Sequence, residues 1–134
     1  LVFARTEAPF LDGNGLGLMS SGFAIRPATI DDVPLIRAFI AELAAYEKLS
    51  DEVVVDDDAL RTQLFGARPV AEALLCFVGR EPAAFAIFFQ NFSTFLGRPG
   101  LYLEDLFVRP EYRRRGLGRA MLGHLAREAN RRGC

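Results

Sequence analysis

Between Glu104 and Arg119 the sequence gathers the side chains most able to do chemistry. Glu104 and Asp105 interrupt the apolar run LYLEDLFV, residues 101–108. Carboxylates inside an apolar strand need a reason, because burying an unpaired charge is costly. One reason is catalytic: a carboxylate can hold a cation or take a proton from it. Shortly after the run comes RRRGLGR: Arg113, Arg114, Arg115, Gly116, Leu117, Gly118 and Arg119. The first amides of a helix have no internal acceptor, and its dipole leaves that end positive. Glycines let a ligand approach those amides, and arginines add charge, so strand, R-x-x-G-x-G and helix in register suit a pyrophosphate better than a carboxylate. The arginine triplet by itself reads as a solvated surface run. Its functional meaning comes from that register.

These residues must be positioned by a small α/β domain. FAIRPAT reads as a short strand halted at Pro27, and Thr29 with Asp32 gives a capping-box-like start to a helix from about Asp31 to Tyr46. Val33, Ile36, Phe39, Ile40, Leu43 and Ala44 recur at three and four residues, giving that helix one buried face. A second short helix is predicted over Asp57–Phe65, with acids in its first turn and Gly66 after its last. Three strands follow, at 73–79, 83–92 and 100–108, joined by polar Gly/Pro connections that suit an antiparallel meander. A last helix, about Gly116–Arg131, buries Leu117, Met121, Leu125 and Ala129 on the sheet. The predicted order is β-α-α-β-β-β-α. Residues 1–21 lack periodicity and read as a disordered N-terminal extension; Met19 fits a natural start there, with residues 1–18 an upstream translation artefact. GNGLG, Gly13–Gly17, mimics a phosphate loop but has neither the strand before it nor the helix after it.

Composition narrows the function. The chain has 134 residues and a formal net charge of -1, which fits one domain and argues against a general polyanion binder. Tyr112 is the only aromatic beside the arginines, so a nucleic-acid patch is disfavoured. Two cysteines and one histidine make no metal-ligand spacing, and a reducing, cytoplasmic setting is the default. No apolar run approaches a membrane span. Cys76 and His124 read as packing residues, and Asp105 as pairing with an arginine or capping a nearby loop.

YLEDLFVRPEYRRRGLGRAML resembles the acetyl-CoA-binding core of the GCN5-related N-acetyltransferases, with Arg113, Gly116 and Gly118 on the signature positions. IRPAT, ELAAYEKLSDEV, FSTFLGR and YLED resemble the diamine acetyltransferase subfamily, which includes the spermidine/spermine and thialysine enzymes. The resemblance implies the mixed, mostly antiparallel fold of that family and direct acetyl transfer from acetyl-CoA to a small-molecule primary amine, without a metal. The main chain of Leu106, Phe107 and Val108 would pair with the pantetheine arm, Arg114 through Arg119 would cradle the pyrophosphate, and Arg113 would belong to the cofactor site with Arg115, Gly116, Leu117 and Gly118. Tyr46 and Glu47 would contact the amine. Glu104, about 13 Å along the strand from Val108, would assist its deprotonation. The full-length form would be a homodimer. A non-catalytic acyl-CoA-binding or dimerisation module, and a protein N-terminal or lysine amine as acceptor, are the alternatives.

The chain stops at ANRRGC, where the family continues into a strand, a helix and two further strands carrying a tyrosine general acid. None of Tyr46, Tyr102 and Tyr112 stands at that position. A fragment is therefore expected, poorly active by itself and prone to self-association along an open strand edge. NFSTFLGR lacks the acid of a polyamine site, so the resemblance leans toward the thialysine-type branch.

Overall fold

Alternating apolar residues and short turns build a four-stranded antiparallel meander in the computed structural model, which describes residues 22–134. The proposed N-terminal extension and the GNGLG segment lie outside the described residues. The strands are β1 (Phe23–Pro27), β2 (Glu72–Val78), β3 (Glu81–Ser93) and β4 (Arg98–Val108), in the spatial order β1-β2-β3-β4. Helices α1 (Val33–Tyr46) and α2 (Asp57–Phe65) join β1 to β2, and α3 (Leu117–Arg131) follows β4. The predicted order holds throughout.

The first turn of α1 differs from the periodic reading. Residues Ile30–Asp32 form a 3-10 turn, and α1 proper begins at Val33. The Asp32 carboxylate accepts the Thr29 N–H at 2.7 Å and two Arg26 donors at 2.7 and 2.9 Å. These bonds hold the residues ahead of the helix in a tighter turn.

The sheet separates two cores. On one face Val33, Ile36 and Phe39 of α1 and Leu60 and Leu64 of α2 pack on Leu75, Phe85, Ile87 and Phe107. Phe39 stacks on Phe85 with ring centroids 5.0 Å apart. On the other face Leu117, Met121 and Leu125 of α3 cover Leu74, Cys76, Ala84, Ala86, Phe88 and Leu101.

Strict alternation fails at Glu104. Ile87 stands opposite Asp105, but Phe88 stands opposite Leu103, so Glu104 is the extra residue of a β-bulge. Leu103 and Leu106 consequently pack on the same, α3-side core. Asp105 takes the face of its partner Ile87, the α1 side.

Arg109, immediately after β4, ties this strand to α1. Its Nε and Nη2 donate to the two Glu42 carboxylate oxygens at 2.9 and 2.7 Å, and its Nη1 donates to Pro82 O at 2.8 Å. The guanidinium lies 4.5 Å from the Phe39 ring centroid. Arg109→Met would leave the Pro82 carbonyl and Glu42 without these donors, and should cost about 1–3 kcal/mol. Urea unfolding checks this as a lower midpoint at unchanged m-value; an unchanged midpoint would show that the clamp contributes nothing net.

Candidate functional site

β4 is the terminal strand of the sheet, so its outer edge has no partner strand among the described residues. The ladder fixes which main-chain groups face that edge. Arg109 N–H donates to Ala83 O at 2.9 Å, and Phe107 stands opposite Phe85. Successive residues of a strand point their N–H and C=O to opposite sides. Phe107 and Arg109 therefore bond toward β3, while Leu106 and Val108 face outward. Of the three residues predicted to offer main chain to a ligand, two can do so; the polar groups of Phe107 are used within the sheet.

The chain then passes through a 3-10 turn, Pro110–Tyr112, into a tight reversal. Arg113 is extended, Arg114 is left-handed with φ 63°, and Gly116 is left-handed with φ 79° at the N-cap of α3. Among the described residues no side chain caps this helix. The amides of Leu117 and Gly118, in its first turn, have no intrahelical acceptor. Gly118 itself packs close to the end of β4: a Cβ on it would lie 3.8 Å from Val108 Cγ2.

Strand edge, turn and the end of α1 enclose an open groove of about 530 Å³. One wall is Leu106, Phe107 and Val108; another is Arg113, Arg114, Gly116, Leu117 and Gly118; Leu43, Tyr46 and Glu47 of α1 close it, with Tyr112 beside them. Ten of the thirteen residues predicted from the sequence thus meet in one place. Arg115, Arg119 and Glu104 are exposed and outside the lining. Arg115 lies 5.5 Å from the Tyr112 ring centroid.

The three arginines of the triplet do not behave alike. Arg113 Nε donates to Val108 O at 2.9 Å, and its guanidinium covers the rings of Tyr46 and Phe107 at 4.6 and 5.5 Å. It points back across the groove. Arg114 and Arg115 are exposed.

Asp105 is the residue that the sequence reading undervalued. It is half-buried and has no ion pair or hydrogen bond among the described residues, so the expected arginine partner is absent. Burial, with the Glu104 and Glu47 charges nearby, raises its proton affinity above that of an ordinary aspartate. The signal was the pair of adjacent acids between two apolar pairs whose alternation falls out of phase. His124 and Cys76 line no part of the groove. Burial lowers the His124 pKa, helped by Arg127, and pushes the Cys76 thiol up to about 11.

Comparison with known proteins adds to this geometry. The model of the acetyltransferase (GNAT) family matches residues 39–134. The chain belongs to that family. It is 36% identical over 118 residues to thialysine N-epsilon-acetyltransferase of Bos taurus, covering 82% of this chain and 69% of that one. It is 27% identical over 150 residues to L-ornithine N5-acetyltransferase of Arabidopsis thaliana, covering 78% and 66%. An aminoglycoside acetyltransferase from a soil metagenomic sample, 14% identical, shares the fold with a TM-score of 0.72 over 86% of this chain and 74% of that one. Among the described residues of this acetyltransferase no three metal-ligating side chains cluster, and no helix is long and apolar enough to cross a membrane.

The two glycines of the turn serve different ends. Gly116 adopts a conformation that strains any L side chain, whereas a Cβ at Gly118 meets only an ordinary contact with Val108. Gly118→Ala should therefore fold as well as the parent or gain up to about 1 kcal/mol, because alanine favours a helix interior. Gly116→Ala should lose about 1 kcal/mol. Denaturant unfolding of the two variants checks the contrast; equal losses would show that Gly118 is also required by the fold.

Proposed function

We propose that this acetyltransferase carries acetyl from acetyl-CoA to the primary amine of a small cationic molecule, of the thialysine-like amino acid or polyamine type, by direct attack in a ternary complex. The observation that carries the reading is the meeting of an outward-facing strand edge and an uncapped helix N-terminus in one groove, which suits a ligand with amides along its arm and a pyrophosphate at its end. The relatives acting on thialysine and ornithine favour an amino acid with a side-chain amine.

In this reading Leu106 offers its main-chain polar groups, and Val108 its N–H, to the pantetheine arm; the Val108 carbonyl is held by Arg113. The amides from Gly116 to Arg119 receive the pyrophosphate, with Arg114, Arg115 and Arg119 supplying positive charge around it. Acetyl-CoA supplies an activated acetyl thioester. The neutral amine nitrogen bonds to the acetyl carbonyl carbon, the carbon–sulfur bond breaks, and the leaving thiolate is neutralised by the second proton that the nitrogen sheds. A primary ammonium must first lose a proton. Glu104 takes it, directly or through water, and Glu47 and Asp105 hold the cation while Tyr46 covers it. Asp105 suits this place because its raised proton affinity makes its anionic form costly until a cation arrives.

Glu104→Gln should lower kcat by roughly 10²-fold, the lower end for general base catalysis, with CoA affinity nearly unchanged. Steady-state acetylation of thialysine and spermidine, beside CoA calorimetry, checks it; a wild-type rate profile across pH would return Glu104 to a structural role. Gly118→Val, a bulky side chain at the start of the helix, should weaken CoA binding by about tenfold through blocked approach to the amides. Unchanged affinity would remove the phosphate cradle from the reading.

Asp105 gives a prediction with a definite sign. Its folded-state pKa is raised, so its carboxyl favours folding most fully below the unfolded pKa, and that advantage is lost as pH rises through the folded pKa. At neutral pH the charged side chain is a liability, so Asp105→Asn should stabilise the chain there while raising the amine KM. The gain should vanish below about pH 4, near the ordinary aspartate pKa. Thermal unfolding at pH 7 and pH 3.5 checks this; destabilisation at pH 7 would refute it.

A further inference from the structure

We propose that Arg113 is a positioning residue, not a phosphate ligand: it locks the last turn of α1 to the end of β4 and so fixes the amine side of the groove against the cofactor side. The proposal rests on the functional reading above. Its first support is direction. Arg113 Nε donates to Val108 O at 2.9 Å, and the guanidinium covers Tyr46 and Phe107. The Arg113 Nε donor is therefore already engaged by a carbonyl on the open strand edge, and the flat face of the guanidinium by two rings.

Its second support is independent. Among the described residues two non-glycine residues have positive φ, Lys48 and Arg114, at 59° and 63°. Lys48 closes α1: Leu49 N–H donates to Ala44 O at 2.8 Å and Lys48 N–H to Ala45 O at 3.2 Å, the Schellman arrangement in which glycine is the usual left-handed residue. Arg114 begins the turn into α3. One strained residue lies two positions after Tyr46, just beyond the α1 wall of the groove, and the other, Arg114, lies one position after Arg113 in the opposite wall. Strain of this kind persists only where its surroundings over-determine it. The contact of Arg113 with Tyr46 spans the two walls. Tyr46 is 64% exposed, and its other ring contact is a tilted one with Phe107 at 6.2 Å, so Arg113 is a principal restraint on that ring.

The side chain at 113 must then be planar and must offer an N–H to Val108 O; its charge is secondary. A phosphate ligand has the opposite requirement, since lysine can replace arginine as a point charge but lacks its flat fork. In the full-length protein, Arg113→Met should change CoA Kd less than about threefold, with the salt dependence of binding kept, since no phosphate contact is lost. The amine KM should rise and kcat fall by about tenfold each, because misplaced reacting groups lose rate. Arg113→Gln, which keeps a planar donor, should recover most of both losses, and Arg113→Lys should not. Calorimetry with CoA at low and high salt and steady-state kinetics with thialysine read all four proteins. A large rise in CoA Kd for Arg113→Met, relieved by lysine but not by glutamine, would overturn the proposal while leaving the functional reading intact. Absence of CoA binding by the wild type would overturn the functional reading and this assignment with it.

Discussion

The candidate site depends on one arginine that lies outside it. Arg109 sends contacts in four directions from the end of β4: its N–H to Ala83, its Nη1 to Pro82, its Nε and Nη2 to Glu42, and its flat face to Phe39. The first two register β4 on β3, and the last two register α1 on both. Only a planar fork can satisfy a carboxylate, a carbonyl and an aromatic ring together. The pair with Glu42 is partly exposed, so its Coulombic part is screened and its worth lies chiefly in geometry. Leu106 and Val108 precede this anchor and the Arg113–Gly118 turn follows it. A small shift at Arg109 would move both walls of the groove at once.

Much of this was legible in the sequence, for identifiable reasons. The short helix Asp57–Phe65 has acids at its start and Gly66 at its end, and it forms over those residues. The face of α3 was readable because Leu117, Met121 and Leu125 recur every four residues. The groove was readable because strand, glycines and helix follow one another directly. The bulge at Glu104 was not read, since an extra strand residue has no composition of its own. Its trace is a change of phase: Leu101 and Leu103 alternate correctly, as do Leu106 and Val108, but the two pairs are out of step. Side-chain direction was the other gap. Three consecutive arginines look equivalent in a sequence, and only the reversal at Arg114 turns Arg113 inward and leaves its neighbours in solvent.

The bulge also has an energetic consequence. A regular strand would divide the adjacent acids between the two faces and bring one against the α3 core. With Glu104 extruded, Asp105 lies on the α1 face toward Glu47, and neither acid enters the core packed by Leu103 and Leu106. Three like charges are thereby drawn together without a compensating arginine among the described residues, an arrangement that opposes folding at neutral pH. A chain that keeps such a cluster gives up stability for what the cluster can attract.

That attraction has an orientation. Glu47 is the C-cap of α1, where the helix dipole is already negative and an acid is unfavourable. Gly116 is the N-cap of α3, where the dipole is positive and exposed arginines add to it. The two helix ends open on the same groove, so dipoles and side chains reinforce a field running along the outer edge of β4. Such a field sorts two proposed substrates of opposite charge. A polyanionic cofactor is drawn with its phosphates toward α3, and its thioester end must then extend along the strand toward the bulge. A cationic amine is drawn to the acids by the same field. Because the groove is open and wet, screening weakens this attraction over roughly 8–10 Å at ordinary ionic strength, so the field orients encounter while the backbone edge and the clamped end of α1 determine the final fit.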